Sequence, residues 1–296
     1  MHCLALILWL GSLSAPAPEP APTGMVLLVK GGVELNRDGT QRPARLGELL
    51  YAGDQLAVGE GEAVFVYCPL GKRFRLSSGS RSLLAPEGIE TLSEPAAEEL
   101  DDRECAIPKV VLGAESLERI GGMRPRGEPP VTVYVGGLIS TRRPRFVWRP
   151  VEGARLYQVS VSDELGRLIW SGTTTESSIP FPADRPELPD GWFSWEVTAR
   201  GNSDVLARQT TPLEVRHSVS TGDPRPLAED ELLLQAVELE NRGYFAEAAS
   251  CLRRLGREYP GDARLRRRLA WLYWKAGLLP AFNEEMQALE TDSGTR

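Results

Sequence analysis

The most informative part of the sequence reads Arg143-Pro144-Arg145-Phe146-Val147-Trp148-Arg149-Pro150-Val151-Glu152-Gly153-Ala154 and continues as Leu156-Tyr157-Gln158-Val159-Ser160-Val161. A proline introduces the first predicted strand, and that strand carries a tryptophan. The Pro-Val-Glu-Gly segment predicts a turn, and the alternation of residues from Leu156 onward predicts a second strand. This combination is typical of the start of an antiparallel β-sandwich.

The same signals extend over residues 131–217, which we predict to be one β-sandwich. Asp163-Glu164-Leu165-Gly166 predicts a hairpin turn, and a last strand is predicted at residues 211–215. Residues 191–199 lie between this turn and the last strand, and their side chains alternate in the way that predicts a further strand. On this strand Phe193, Trp195, Val197 and Ala199 share one face, and Trp192 lies on the opposite face, because successive side chains point to opposite faces. We therefore expect one of the two tryptophans, Trp192 or Trp195, to be exposed.

The predicted sandwich resembles fibronectin type III and related immunoglobulin-like domains. The likeness rests on Phe146-x-Trp148, on Ala154-x-x-Tyr157-x-Val159 and on Trp195-x-Val197-x-Ala199. No cysteine lies within residues 131–217. The disulfide that joins the two sheets of antibody domains is therefore missing.

A second β-rich unit is predicted over residues 23–92. Residues 25–29 and 62–67 are strand-like apolar runs, and residues 73–76 alternate between polar and apolar side chains. Glycines separate the predicted strands and supply their turns.

This second unit resembles the FecR-like domain family over less than a quarter of the chain. The likeness rests on Val29-Lys30-Gly31-Gly32-Val33, on Leu50-Tyr51-Ala52-Gly53-Asp54-Gln55-Leu56, on Gly59, and on strand 63–67 with its Gly71 turn into Phe74-Arg75-Leu76. The family often carries an Asp-Gly-Ser turn in the second hairpin. This chain has Cys68-Pro69-Leu70-Gly71-Lys72 at that place, so the resemblance implies no shared ligand.

Residues 1–22 are predicted to contain a signal peptide and a Pro/Ala-rich start of the mature chain. An apolar run from Cys3 to Leu10 precedes several small residues. The run is too short to span a bilayer, which favours a signal peptide over a membrane anchor. We therefore expect a periplasmic or otherwise extracytoplasmic protein.

Cys68 and Cys105 are predicted to form a disulfide, because they are an isolated pair in a protein expected to enter an oxidising compartment. The alternative is a pair of free thiols in a reducing compartment. Cys251 lies at an apolar position of a helical segment and is predicted to be a small buried hydrophobe.

Two connecting segments are predicted, at residues 93–130 and 218–226. The first mixes proline and glycine with an acidic patch, which we interpret as a solvated loop. The spacing of a calcium-binding loop is missing from it. The patch consists of Glu98, Glu99, Asp101, Asp102 and Glu104.

Residues 227–290 are predicted to be helical and resemble tetratricopeptide repeats. Ala236, Leu239 and Gly243 recur as Ala270, Tyr273 and Gly277, an offset of 34 residues that equals the length of that repeat. Two copies are fewer than such arrays usually need for stability. We therefore expect the pair to pack on the sandwich, on a second copy of the chain or on a partner.

The sequence holds no pattern that favours catalysis. His217 is the only histidine after the predicted signal peptide, which disfavours Ser-His-Asp sites, Cys-His sites and zinc sites. Gly31-Gly32 and Gly136-Gly137 are interpreted as turn residues and not as phosphate-binding loops. A net charge of −7 disfavours binding of nucleic acid. We predict a protein that is not an enzyme and has no cofactor or metal site.

The predicted fold class is multidomain and mainly β, with a FecR-like domain, an antiparallel sandwich and short helical-repeat hairpins at the C-terminus. The first functional hypothesis is a non-catalytic exported envelope protein that acts as a scaffold. Its helices would contact envelope proteins, and it would not be an integral membrane protein. The candidate contact residues are Tyr244, Phe245, Arg266, Arg267 and Tyr273.

Two alternative functions stay open. A binder of envelope polysaccharide or peptidoglycan would stack Trp170 or Trp192 on a sugar ring, whereas both tryptophans would otherwise cover the core edge or a domain interface. A FecR-type regulator of envelope signalling would need a transmembrane helix ahead of Gly24. We rank the regulator last because the sequence shows no such helix.

Overall fold

The computed structural model describes residues 21–102, 107–108, 131–217 and 228–293. These ranges form a mainly antiparallel β structure followed by four C-terminal helices. The predicted N-terminal segment 1–22 lies outside the described residues except for its last two positions, and the whole of the predicted 218–226 linker lies outside them as well.

The N-terminal unit is an eight-stranded sheet, named here the first sheet. Strands β1 and β4 form its centre, with β2 and β3 beside β1 and with β5 and β6 beside β4; β8 pairs with β5 and β7 with β6. The strands are β1 (Gly24–Arg37), β2 (Thr40–Pro43), β3 (Leu49–Leu50), β4 (Gln55–Tyr67), β5 (Lys72–Ser77), β6 (Arg81–Ala85), β7 (Gly88–Ser93) and β8 (Glu98–Asp102).

Gly31 and Gly61 allow the two long central strands to lie unusually close together. They face each other in the β1–β4 register. An added Cβ would lie 2.0 Å from the Glu60 carbonyl oxygen at Gly31 and 1.9 Å from the Lys30 carbonyl oxygen at Gly61. Both residues also have positive φ, a conformation that glycine adopts without a steric cost. Any side chain at either position would separate the strands.

The first sheet extends beyond the predicted boundary at residue 92. Four residues of the acidic patch that the sequence analysis places in a solvated connector lie in strand β8, antiparallel to β5, and Glu104 lies outside the described residues. The carboxylates of β8 meet basic side chains of β5, as in the pairs Lys72–Glu99 at 2.5 Å and Arg75–Glu98 at 3.3 Å. Opposite charges across a strand pair favour this register, and a loop interpretation of the acidic residues overlooks it.

The middle unit consists of two packed sheets, named here the sandwich. One sheet has the strand order β12-β11-β14-β15-β9, in which β9 is parallel to β15, and the other pairs β10 with β13. The strands are β9 (Gly137–Ile139), β10 (Arg145–Val147), β11 (Leu156–Asp163), β12 (Leu168–Thr174), β13 (Ser178–Pro180), β14 (Gly191–Arg200) and β15 (Val205–Val215).

Aromatic side chains fill the space between the two sheets of the sandwich. Phe146 and Trp195 have ring centroids 4.8 Å apart, and Trp148 and Tyr157 have centroids 5.2 Å apart. The indole N–H of Trp195 donates to the Val135 carbonyl oxygen at 3.0 Å, so this buried polar group is satisfied. The part of the sequence that predicts the sandwich therefore supplies much of its core.

The C-terminal unit consists of the helices α1 (Glu229–Asn241), α2 (Phe245–Glu258), α3 (Ala263–Lys275) and α4 (Leu279–Ser293). Gly243 follows α1 and Gly277 follows α3, both with positive φ, as is common where a glycine ends a helix. They occupy equivalent places in two helical hairpins and are 34 residues apart, as the repeat pattern predicts. Asp262 caps α3 by accepting from the backbone N–H groups of Arg264 and Leu265.

One apolar core runs through all three units. The cluster of buried side chains that contains Trp148 of the sandwich and Leu272 of α3 also contains Met25, Val64 and Val66 of the first sheet. A separate cluster, which includes Phe65 of β4, fills the other side of that sheet. The helices therefore cover the first sheet as well as the sandwich.

Candidate interaction surfaces

Gly136 and Gly137 bring the sandwich into direct backbone contact with the helical unit. An added Cβ at Gly136 would lie 2.7 Å from Thr211 Cγ2 and 2.8 Å from Leu278 Cδ2. At Gly137, which has positive φ, it would lie 3.1 Å from the Ala276 carbonyl oxygen. These glycines form a close approach between two units and are not only turn residues, as the sequence analysis interprets them.

Two glutamates of the helices are bonded to the sandwich. Glu247 accepts from the backbone N–H of Ser140 at 2.8 Å and from the Ser140 hydroxyl. Burial raises the pKa of this carboxyl group. Glu284 accepts from the Thr132 hydroxyl at 2.6 Å and from the Arg149 guanidinium at 2.8 Å. Each glutamate thus ties one helical hairpin to the sandwich.

Tyr134 joins the second of these contacts. Its hydroxyl donates to Glu284 at 3.2 Å, and its ring lies under the Arg253 guanidinium, 4.2 Å from the ring centroid. Burial and the neighbouring Glu284 carboxylate raise the pKa of Tyr134 to about 12. The phenol therefore stays protonated at neutral pH and acts as a donor.

Arg73 ties the first sheet to α1. Its side chain is only 8% exposed and lies 2.6 Å from Asp101 of β8 and 2.5 Å from Asp230 of α1. Glu231 lies 3.8 Å away. A buried guanidinium needs such partners to offset the loss of water, so this cluster fixes α1 against β5 and β8.

The sequence-predicted partner contacts fall into two groups. Tyr244 and Tyr273 are buried, and the Tyr244 hydroxyl donates to the Arg216 carbonyl oxygen at 3.2 Å. Phe245, Arg266 and Arg267 are partly exposed. In this structure the two tyrosines stabilise the helical unit, and only the other three reach its surface.

A partly exposed aromatic cluster lies at the ends of α2 and α3, and we name Phe245, Trp271, Trp274 and Lys275 the aromatic cluster. The two indole rings have centroids 5.2 Å apart. The Lys275 ammonium lies 5.4 Å from the Phe245 centroid, 5.5 Å from that of Trp271 and 5.7 Å from that of Trp274. These distances are within the range of cation–π attraction. The sequence analysis misses both tryptophans, although their three-residue spacing places them on one helix face.

The two tryptophans proposed as glycan contacts have different surroundings. Trp170 is half-buried, with its ring 6.1 Å from that of Phe146 and 5.6 Å from that of Phe181. Trp192 is 56% exposed and lies opposite Glu214 in the β14–β15 register. Of these two tryptophans, only Trp192 is largely exposed.

The sequence analysis also singles out cysteines and one histidine, and the structure describes Cys68, Cys251 and His217. Cys68 takes part in a disulfide, but Cys105 lies outside the described residues, so the pairing of these two stays a prediction. Cys251 is a free, buried thiol, as predicted, and burial raises its pKa to about 12. The backbone N–H of the exposed His217 donates to Asp190 at 3.2 Å.

Among the described residues, the His, Cys, Asp and Glu side chains form no group of three or more that could hold a metal ion. None of the helices in these ranges is long and apolar enough to cross a membrane.

The comparisons with known proteins identify no family. No family model matches the chain, and no curated protein matches it. Among solved structures, it is similar to the crystal structure of a tetra-tandem repeat in the extending region of a large adhesion protein, with 15% identity and a TM-score of 0.23. The alignment covers 67% of this chain and 43% of that one, so the chain spans less than half of that protein's length.

Proposed function

We propose that this protein is a non-catalytic, exported scaffold of a bacterial envelope that holds a partner-binding surface in a fixed position. In this proposal the first sheet is a FecR-like domain, the sandwich is a fibronectin type III or immunoglobulin-like domain, and the helices are two tetratricopeptide-like repeats. The strand order of the sandwich supports the second of these assignments, and the equivalent places of Gly243 and Gly277 support the third.

The continuous apolar core is the observation that carries the proposal. Side chains of the first sheet, the sandwich and the helices belong to one buried cluster. Buried or partly buried polar contacts at Arg73, Glu247 and Glu284 reinforce the boundaries between the units. A surface held in this way needs little further ordering when it binds, and this lowers the entropic cost of association.

The aromatic cluster is the surface that best fits a protein partner. Aromatic side chains are enriched at the centres of protein interfaces. Lys275 places a positive charge among the three rings. We therefore propose a partner segment that combines apolar side chains with at least one carboxylate.

Site-specific photo-crosslinking tests the proposal. The photoreactive residue p-benzoylphenylalanine would replace Phe245 or Trp271 in the full chain, and the control would replace Leu165, which is 71% exposed on the sandwich. We expect both helical positions to capture the same envelope protein, at a segment with the proposed chemistry, and the control not to capture it. Capture of that protein by the Leu165 position alone would refute the proposed surface.

The exposure of Trp192 favours a second candidate function, binding of an envelope glycan. An indole that is 56% exposed can stack on a sugar ring, and Glu214 beside it can accept hydrogen bonds from hydroxyl groups. Cosedimentation with purified peptidoglycan would test this function. Trp192→Ala should abolish pelleting, whereas Leu165→Ala should leave it unchanged. Pelleting that does not depend on Trp192 would exclude this site.

A further inference from the structure

A cavity of about 310 Å³ lies between the first sheet and the helices. This volume is at the lower end of the range of about 300–1,000 Å³ for small-molecule sites. Strand β1, the residues around Leu46 and the helices α1, α2 and α3 contribute to its walls. Cavities between two units are a common place for ligands.

The walls of the cavity are largely apolar. Met25 from the sheet and Leu233, Val237 and Leu252 from the helices line it, and each is at most 5% exposed. Leu46 is 6% exposed and closes the same side as Met25. This apolar part of the wall favours an apolar group over water, because its side chains offer water no hydrogen-bond partner.

Four arginines line the same cavity, and three of them have carboxylate partners. Arg37 is bonded to Asp54 at 2.7 Å, Arg264 lies 3.4 Å from Glu48, and Arg268 is bonded to Glu240 at 2.5 Å. Glu48 is shared, since it also accepts from Arg42 at 2.8 Å. The fourth arginine, Arg267, has neither an ion-pair nor a hydrogen-bond partner within the part of the chain that the structure describes. The four lining arginines are Arg37, Arg264, Arg267 and Arg268.

Arg264 lies one helical turn before Arg267 and is held at this wall by its own partners. Its guanidinium donates to the Leu46 carbonyl oxygen at 2.9 Å and lies 3.4 Å from Glu48. A guanidinium beside apolar walls is costly unless an anion accepts from it. Arg267 therefore provides the place for an anionic head group, and Arg264 adds positive charge to the same wall.

We propose that this cavity binds a small amphipathic monoanion, namely a carboxylate with an unbranched aliphatic tail. The carboxylate accepts from Arg267, and the tail lies against Met25, Leu233 and Val237. A single negative charge fits because the carboxylates of Glu48 and Glu240 already line the cavity. A dianionic head group would meet repulsion from both.

Isothermal titration calorimetry on the full chain, with octanoate, decanoate and acetate as probes, tests this site. We expect saturable binding of octanoate or decanoate with one molecule per chain. Acetate should not bind measurably, because it lacks the tail. Octyltrimethylammonium should not bind either, because it has the opposite charge. Equal binding of acetate, equal binding of the cation, or no binding of either fatty acid would overturn the proposal.

Three variants locate the binding in the cavity. Arg267→Met removes the charge but keeps most of the side-chain length, and it should weaken fatty-acid binding at least tenfold because a charge-assisted pair is lost. The matched control is Arg257→Met, at an exposed position of α2, and it should bind like the unmodified chain. Val237→Phe should fill the cavity and abolish binding. Unchanged affinity in Arg267→Met, or in a folded Val237→Phe variant, would place the binding elsewhere.

Discussion

Gly136 lies where the sandwich meets the helical hairpins, and its lack of a side chain is what permits the contact. We expect Gly136→Ala to destabilise the protein by about 1–3 kcal/mol, the usual cost of overpacking a well-packed site. The new methyl group would overlap Thr211 and Leu278. Equilibrium unfolding in urea would measure the change.

Gly32→Ala is the matched control, because an added Cβ there meets nothing within 4 Å. It should change the free energy of unfolding far less than Gly136→Ala does. Equal effects of the two substitutions would mean that the close approach at Gly136 contributes nothing specific.

Glu247 makes the contact between α2 and the sandwich sensitive to pH. Burial raises its pKa above the ordinary 4.5, so the folded protein holds this proton more tightly than the unfolded chain does. The resulting stability is fully present below about pH 4.5 and is lost as the pH rises through the raised pKa. Glu247→Gln cannot ionise, so the Tm of the unmodified protein should fall relative to the Tm of this variant as the pH rises from 4.5 to 7.

Thermal unfolding at a series of pH values would measure this difference. Glu176→Gln, at an exposed turn, controls for the general effect of removing one negative charge. A Tm difference between the unmodified protein and Glu247→Gln that stays constant with pH would contradict the account.

Strand parity places Trp192 and Trp195 on opposite faces, and the structure shows which of them is exposed; burial between units limits the prediction of other site residues. Trp192 faces solvent because Trp195 on the same strand faces the core. Tyr244 and Tyr273 look equally available in the sequence, yet both are buried. Tyr273 packs beside Tyr134 of the sandwich, with ring centroids 5.9 Å apart. No periodicity within the helices reveals a neighbour that comes from another unit.

At the scale of elements, complementary charge explains why β8 pairs with β5. The acidic patch on its own is typical of a loop, but the segment Lys72-Arg73-Phe74-Arg75 supplies its partners from 23 residues or more earlier in the chain. The sequence signal for the helical repeat is easier to detect than the signal for the β5–β8 pairing. Its 34-residue period is visible in the sequence, because the two copies and their glycines follow one another. Long-range pairing of short charged strands gives no such signal.

Arg73 links strands β5 and β8 to helix α1, and its loss should destabilise the protein. We expect Arg73→Ala to lower the free energy of unfolding by about 3–5 kcal/mol, the usual cost of breaking a buried ion pair. Asp230 of α1, whose side chain is 15% exposed, would be left without its counter-ion.

Arg75→Ala, on the same strand, is the control for that measurement. Its pair with Glu98 is exposed, at 40% and 60% for the two side chains, and should contribute only about 0–1 kcal/mol. Urea unfolding of both variants would compare the two pairs. A small effect at Arg73 would show that α1 does not depend on this cluster.

At the scale of the whole molecule, the sequence predicts three units but not how they pack. A hint is present in Met25-Val26-Leu27-Leu28 and Val64-Phe65-Val66-Tyr67, because strands that are apolar without alternation are buried on both faces. Phe65 faces the core of the first sheet, while Val64 and Val66 face the cluster shared with the helices. The strand sequence does not show which unit covers the face with Val64 and Val66, because any of several apolar surfaces could pack on it.

The shared core implies that the helices are fixed between the two β units and open together with them. Hydrogen exchange of the full chain, followed by mass spectrometry in increasing urea below the unfolding midpoint, tests this most directly. We expect peptides from β1, β14 and α3 to converge on one free energy of opening, because their buried side chains belong to one cluster. Loss of protection in α3 through an opening that leaves β1 and β14 protected would contradict the claim that the three units form one body.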